Sequence, residues 1–223
     1  MNETAQGPVV IGIAGYSGSG KTSLAQELAR ELEGTHFHLD HYYQDLGHLT
    51  YEERCQVNFD HPDALESDLL VAHIRQLASG RSIAQPQYDF STHTRVPGAS
   101  VTVYEPHFLL IDGILALHYE ALRKLYDLSV YVDTPDEICY QRRLARDVRD
   151  RGRTPEVVEQ HYAETVRPMA EQFVRPSAQY ADLVVDGTSS FDWSVEQVLG
   201  MLRRKQLLAT HDMYALDGFA GHS

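Results

Sequence analysis

The chain has 223 residues, 43% of them hydrophobic, and a formal charge of −13. That length suits one α/β domain with a small insertion, and the acidic balance argues against a nucleic-acid backbone as main partner, since such binding needs a basic stripe. Cys55 and Cys139 have neither metal spacing nor a disulfide framework, "MNETAQGPVV" is no secretory signal, and no apolar run reaches the roughly 18 residues of a membrane span, so a cytoplasmic chain without a membrane partner is expected.

In chain order, "PVVIGIAG" reads as a buried parallel strand. "KTSLAQELARELEG" follows as a helix, with Leu24, Leu28 and Leu32 at helical spacing and Gly34 as its C-cap. "THFHLD" reads as a second strand ending at Asp40. "FDHPDALESDLLVAHIRQLASG" gives a helix opened by Pro62 and closed near Gly80. "QPQYDFSTHTRVPGASVTVYEP" alternates, breaks at Pro97–Gly98, and predicts a β-hairpin outside the main repeat. "HFLLIDG" and "LSVYVD" are two further strands, with a helix around Leu117 to Tyr126 between them. From Pro135 to about Tyr180 the pattern is helical, interrupted by "DRGRTP". "ADLVVDG" is a fifth strand, and "SVEQVLGMLRRKQLL" a closing amphipathic helix.

Alternating strands and helices predict an α/β fold: a five-stranded parallel sheet flanked by helices. One domain is expected over residues 1–208, with the hairpin inserted at about 82–105 and an arginine-rich lid at about 142–160; the aperiodic tail, 209–223, is expected to be loose. Ligands of such sheets sit beyond the carboxyl ends of the strands. That rule singles out Gly15, Asp40, Asp112, Asp133 and Asp186.

"GYSGSGKT", Gly15 to Thr22, satisfies G-x-x-x-x-G-K-[ST] between a predicted strand and a predicted helix. Its glycines let backbone N–H groups curl around phosphate oxygens. The helix N-terminus adds positive potential, Lys21 neutralises the β- and γ-phosphates, and Thr22 can hold Mg²⁺. Asp112 is the carboxylate that can share the magnesium. Together these predict a nucleoside triphosphate site.

A guanine-reading N-K-x-D is absent, and 223 residues leave little room for the coupling domains of a motor. A small-molecule kinase needs cationic groups for the transferred phosphoryl and a base for the acceptor. "RRLARDVRDRGR" offers Arg142, Arg143, Arg146, Arg149, Arg151 and Arg153; the competing account is a solvated helix with pairs from Arg143 to Asp147 and from Arg146 to Asp150. Asp40 is the candidate base. Zinc held by His36, His38 and His41 is a rival reading, weakened because His41 lies past the strand end and no H-E-x-x-H or cysteine pair accompanies it.

The blocks "GYSGSGKTS", "LDHYYQD", "NFDHPDA", "QPQYDFSTHTR", "LLIDGILAL", "RRLARDVRDRGR" and "YADLVV", in that order over residues 8–205, resemble the uridine–cytidine kinase family, in the group of P-loop kinases that also holds phosphoribulokinase. The resemblance implies that Gly15, Tyr16, Ser17, Gly18, Ser19, Gly20, Lys21, Thr22 and Ser23 cradle ATP or GTP, with Arg146 and Arg151 as lid residues over the triphosphate. It implies Asp40 as base for a nucleoside 5′-hydroxyl, Asp60 on the ribose hydroxyls, Tyr88 and His93 reading the pyrimidine, and Tyr43 and Phe59 lining that pocket. Arg143 and Arg153 match substrate-side positions; His161 stands where the family carries an amide, and Asp112 where many relatives carry Glu. Tyr88 and His93 have opposite parity on a straight strand, so a bend is required for both to touch one base. The implied reaction is phosphorylation of uridine and cytidine to UMP and CMP in pyrimidine salvage, with Mg²⁺, by a homotetramer under feedback inhibition by CTP or UTP. A phosphoribulokinase-like sugar-phosphate kinase and a nucleotide-binding regulator without turnover are the alternatives.

Overall fold

A computed structural model of the chain describes residues 7–104 and 106–208, so the expectation for the tail at 209–223 lies outside the described residues. In order these form β1 (Val9–Gly15), α1 (Lys21–Glu31), β2 (Thr35–His38), α2 (Tyr51–Cys55), α3 (Ser67–Ala78), β3 (Ile83–Asp89) and β4 (Thr94–Val103). Then come β5 (Phe108–Asp112), α4 (Glu120–Arg123), β6 (Leu128–Asp133), α5 (Asp136–Arg151), α6 (Pro155–His161), α7 (Arg167–Met169), β7 (Leu183–Asp186) and α8 (Phe191–Arg204).

Five strands form one parallel sheet in the order β2-β5-β1-β6-β7. The three central strands, β5, β1 and β6, are buried on both faces because both are covered, whereas the edge strands β2 and β7 are only partly buried. On β1, Val10 and Ala14 pack into one core with Phe37, Ile74 and Leu109. Ile11 and Ile13 pack into the other with Leu24, Leu28, Leu110 and Val198. Each such wholly buried aliphatic side chain contributes about 1.5–3 kcal/mol.

The connection from β1 through α1 to β2 skips one strand position, which β5 fills. The consequence is functional: Asp112 at the end of β5 lies in register with Ile13 of β1 and with His38 of β2. The phosphate loop, the β5 carboxylate and the β2 exit therefore share one rim.

Local chemistry moves several predicted boundaries. Gly34 does not take the left-handed position after α1; Glu33 does, with φ +49, and the Gly34 N–H closes onto the Ala29 carbonyl at 2.8 Å. Gly34 is required for another reason, since a Cβ there would approach the Phe108 Cβ to 2.8 Å. Strand β2 stops at His38, and Leu39–Tyr42 form a 3₁₀ turn, so Asp40 lies beyond the strand rather than at its end. Pro62 opens only the short 3₁₀ turn Pro62–Ala64; Leu65 then pairs with Tyr43 as an extended bridge, and α3 begins at Ser67. The helix expected around Leu117 to Tyr126 contracts to α4, and α8 starts at Phe191 instead of Ser194.

The hairpin pairs β3 with β4 as a separate antiparallel sheet. Its reversal falls at residues 90–93, where the Asp89 carboxylate accepts from the Ser91 N–H at 2.8 Å and the Thr92 hydroxyl at 3.0 Å. Pro97 and Gly98 lie inside β4, where the register slips opposite Gln87. This is the usual refuge for a strand proline, which has no N–H for the ladder. After α6 the chain continues helically to Tyr180 through two wide turns, Tyr162–Val166 and Ala170–Val174. Pro168 and Pro176 follow those turns, each withholding a backbone donor from the regular ladder.

Candidate active site

Beyond the carboxyl ends of β1, β2 and β5 lies a cavity of about 400 Å³. Lys21, at the first position of α1, points into it and donates to the Tyr16 carbonyl at 3.3 Å, while Ser17 and Thr22 also line it. Burial lowers the Lys21 pKa, and the charges of Asp112 and Asp40 oppose that shift. Tyr16 contributes only backbone to the cradle: its hydroxyl donates outward to Glu171 at 3.1 Å. Gly18 adopts φ +91 and is pressed against the Cys139 carbonyl of α5. Gly18→Ala is expected to cost about 1–3 kcal/mol, because its Cβ meets backbone and its φ is strained. A thermal melt reads this directly, and an unchanged transition would show that loop and helix are not in forced contact.

Thr22 Oγ1 donates to Asp112 Oδ2 at 2.6 Å. These hard oxygens suit Mg²⁺, which takes oxygen ligands and keeps several waters. The other carboxylate oxygen, Oδ1, lies 2.7 Å from His36 Nε2 and 3.0 Å from His38 Nδ1. Burial would raise the Asp112 pKa, but the two histidines hold it below the ordinary carboxylate range. His41 does not join them; its Nδ1 faces the Tyr88 N–H at 3.5 Å.

Asp40 lines the same cavity as Lys21. Its pKa is raised, first by the low-polarity surroundings and then by the charge on Asp112, while Lys21 and His38 pull it down. A carboxylate tuned upward beside a phosphate loop is suited to accept a proton. A group of aromatic rings lines the cavity as well, among them Tyr43, Phe59, Tyr88 and His93. The Tyr43 centroid is 5.3 Å from those of Phe59 and Tyr88, and Phe59 stacks on His93 at 5.5 Å with an interplanar angle of 19°. The parity conflict between Tyr88 and His93 disappears because His93 leaves the strand: it occupies the hairpin turn with φ +54, a conformation that L residues rarely adopt. Burial and the nearby Arg153 and Arg151 lower the His93 pKa, favouring the neutral ring, which both donates and accepts.

The arginines are organised by one residue. Asp147, fully buried on α5, lies 2.8 Å from Arg146, 3.4 Å from Arg151, 3.6 Å from Arg143 and 3.7 Å from Arg153. Gly152, with φ +63, ends α5, and the Arg153 N–H returns to the Asp147 carbonyl at 3.2 Å. That turn brings Arg151 and Arg153 to the same carboxylate. The solvated-helix account therefore fails for Asp147, and Asp150 pairs with Arg149 rather than with Arg146. Arg143 also approaches Asp60, with Nη1 4.0 Å from Oδ1. Arg143, Arg146, Arg151, Arg153, Asp60 and His161 all line the cavity.

A second crevice of about 270 Å³ borders the phosphate loop, lined by Ser19, Gly20, Ser23, Arg142, Gly187 and Phe191 among others. Arg142 donates to the carbonyls of Ser19 at 3.3 Å and Gly187 at 3.2 Å. Arg142 therefore serves this crevice and not the lid to which the sequence assigns it, and Gly187, a glycine directly after a predicted strand, is its partner. Tyr51, Cys55 and Val57, on and after α2, also line the main cavity without any motif to announce them. Of the strand-end residues, Gly15, Asp133 and Asp186 do not line it; the two aspartates are exposed, and Asp186 caps its own loop through the Thr188 N–H at 2.8 Å.

The sequence model of the phosphoribulokinase/uridine kinase family matches residues 10–194. Uridine kinase of Aeromonas hydrophila subsp. hydrophila is 47% identical over 193 residues, covering 83% of this chain and 89% of that protein. Uridine kinase of Chloroflexus aurantiacus is 41% identical over 198 residues, covering 87% and 94%. Among solved structures, a putative fructose transport system kinase from Silicibacter sp. TM1040 superposes with a TM-score of 0.65 at 19% identity, covering 82% of this chain and 92% of that one. Phosphoribulokinase from Rhodobacter spheroides superposes with a TM-score of 0.56 at 16% identity, covering 83% and 74%. The two superpositions bear on the fold alone.

Proposed function

The chain belongs to the phosphoribulokinase/uridine kinase family, and from that premise we propose that it transfers the γ-phosphoryl group of ATP, or of GTP, to the 5′-hydroxyl of uridine and cytidine, yielding UMP and CMP for salvage. The observation that carries this reading is a single cavity that holds the phosphate-loop lysine Lys21, the upward-tuned carboxylate Asp40 and the aromatic group Tyr43, Phe59, Tyr88 and His93. A nucleoside is a molecule with one flat ring and one reactive hydroxyl, and this cavity offers a partner for each.

In this mechanism Asp40 accepts the 5′-hydroxyl proton as the oxygen attacks, and Lys21, Arg146 and Arg151 offset the charge of the moving phosphoryl. Thr22 and Asp112 would hold Mg²⁺, whose charge further neutralises the phosphates. Asp60 accepts the ribose hydroxyls, and Tyr88 with neutral His93 reads the base edge. Arg143, Arg153 and His161 close the substrate side. The smaller crevice at Arg142 and Gly187 suits the nucleoside part of the donor, since it borders the same loop from Ser19 to Ser23. The same family reading extends to a single domain over residues 1–208, a homotetramer, and inhibition by CTP or UTP.

Release of ADP with four acceptors tests this. Uridine and cytidine are expected to turn over, and 2′-deoxyuridine to fall in kcat/KM by roughly 10–100-fold, the worth of one hydrogen bond to a charged acceptor. Turnover of ribulose 5-phosphate in their place would make the chain a sugar-phosphate kinase; no turnover with any acceptor would leave a nucleotide-binding regulator.

A further inference from the structure

The two histidines of "HFHLD" are unused by the phosphoryl-transfer chemistry, yet they converge on a carboxylate. On a strand, residues two apart project to the same side, and the ring centroids of His36 and His38 are 4.2 Å apart. The sequence offers His41 as a third ligand, which the structure turns toward the hairpin. The third ligand comes from the neighbouring strand: Asp112 is the register partner of His38. One ring nitrogen of His36, one of His38 and a carboxylate oxygen of Asp112 all lie within 4.8 Å of one another. We propose that His36, His38 and Asp112 form a site for a divalent transition-metal cation such as Zn²⁺ or Co²⁺.

The donor set selects the class of ion. Two imidazole nitrogens and one carboxylate suit zinc, cobalt, nickel or iron, whereas Mg²⁺ prefers oxygen. Metal–ligand bonds of about 2.0–2.2 Å place tetrahedral ligand atoms about 3.3–3.6 Å apart, so the present separations of 2.7 Å and 3.0 Å between the imidazole nitrogens and Oδ1 open by a few tenths of an ångström to admit the ion, within reach of imidazole and carboxylate rotation. His38 and Asp112 line the main cavity, so water or a phosphate oxygen has access to a further coordination position. The two oxygens of Asp112 divide the work: Oδ1 faces the histidines, and Oδ2 faces Thr22. A transition ion on Oδ1 therefore draws negative charge away from the oxygen available to Mg²⁺. Zn²⁺ at this site raises the Mg²⁺ concentration the kinase reaction needs.

The test is a titration of the full, nucleotide-free chain with Co²⁺ in the absence of Mg²⁺, followed by visible absorption. Bands saturating at one equivalent are expected. His36→Gln keeps a donor toward Asp112 but removes an imidazole, and it should weaken the binding by roughly a hundredfold or more, at or beyond what loss of an outer-shell partner costs. Circular dichroism verifies that the variant folds. Anomalous diffraction from the unaltered chain soaked in Zn²⁺ needs no variant and should show a peak among these three side chains. No bands at one equivalent, bands that survive His36→Gln, or a peak confined to other histidines would each overturn the site. Binding is read without nucleoside or donor, so this outcome and that of the kinase assay are independent.

Discussion

Replacing Asp40 by Asn is expected to lower kcat for uridine by about 10²–10⁴-fold, the usual contribution of a positioned base, while KM changes little. Asn keeps the shape and the hydrogen-bonding reach but cannot take the proton. The pH profile adds a signature that a packing role would lack. Asp40 must be unprotonated to act, and burial together with Asp112 raises its pKa. Activity should therefore climb with pH through a limb that lies above the ordinary carboxylate range. In Asp40→Asn that limb should vanish from the residual rate. Near-normal turnover, or a retained limb, would remove Asp40 from the base role.

The second large effect concerns a residue that does not line the cavity. Asp147→Asn is expected to destabilise the fold by roughly 2–3 kcal/mol at neutral pH. A wholly buried pair broken on one side costs about 3–5 kcal/mol, but Arg146 and Arg151 keep 36% and 37% of their side chains exposed, so water relieves part of the loss. Arg143 gains least from water: it is buried, and its Nε has no hydrogen-bond partner among the described residues, only the charge of Asp147 at 3.6 Å. Burial disfavours the Asp147 charge, but Arg146, Arg151 and Arg143 overcome that and lower its pKa. A depressed carboxylate stabilises the fold above its unfolded pKa of about 3.9 and loses that contribution as pH falls through the folded value. The deficit of the variant should therefore shrink in strong acid. Urea unfolding at neutral and acidic pH measures both; equal stability at neutral pH, or a deficit that grows in acid, would show that the four arginines do not depend on Asp147.

The phosphate loop was legible because its chemistry is contiguous: Gly15 to Thr22 carry glycines, cation and hydroxyl in one run, and the strand and helix around them are strongly periodic. The central strands β5, β1 and β6 were legible for the same reason, as short apolar runs buried on both faces. Boundaries were less so. Gly34 looked like a cap, yet Glu33 took the left-handed turn and Gly34 served the close approach of Phe108. Pro62 looked like a helix start, yet the Tyr43–Leu65 bridge drew the chain back to extended form before α3. Pro97–Gly98 looked like the hairpin turn, yet the Asp89 carboxylate made the turn elsewhere. In each case a contact distant in sequence, or a rival local hydrogen bond, outweighed the propensity of a single residue.

By itself, the sequence determined the phosphate cradle, the parallel sheet and the family, since all three rest on local patterns of glycine, apolar residues and charge. The tertiary structure alone decided three things: that His36 and His38 meet Asp112, that Asp147 gathers four arginines, and that Arg142 reaches Gly187. Each joins groups whose encounter depends on strand order, burial or the φ of one turn residue. A side chain's charge is written in the sequence, but its dielectric surroundings and its partners exist only once the chain has folded.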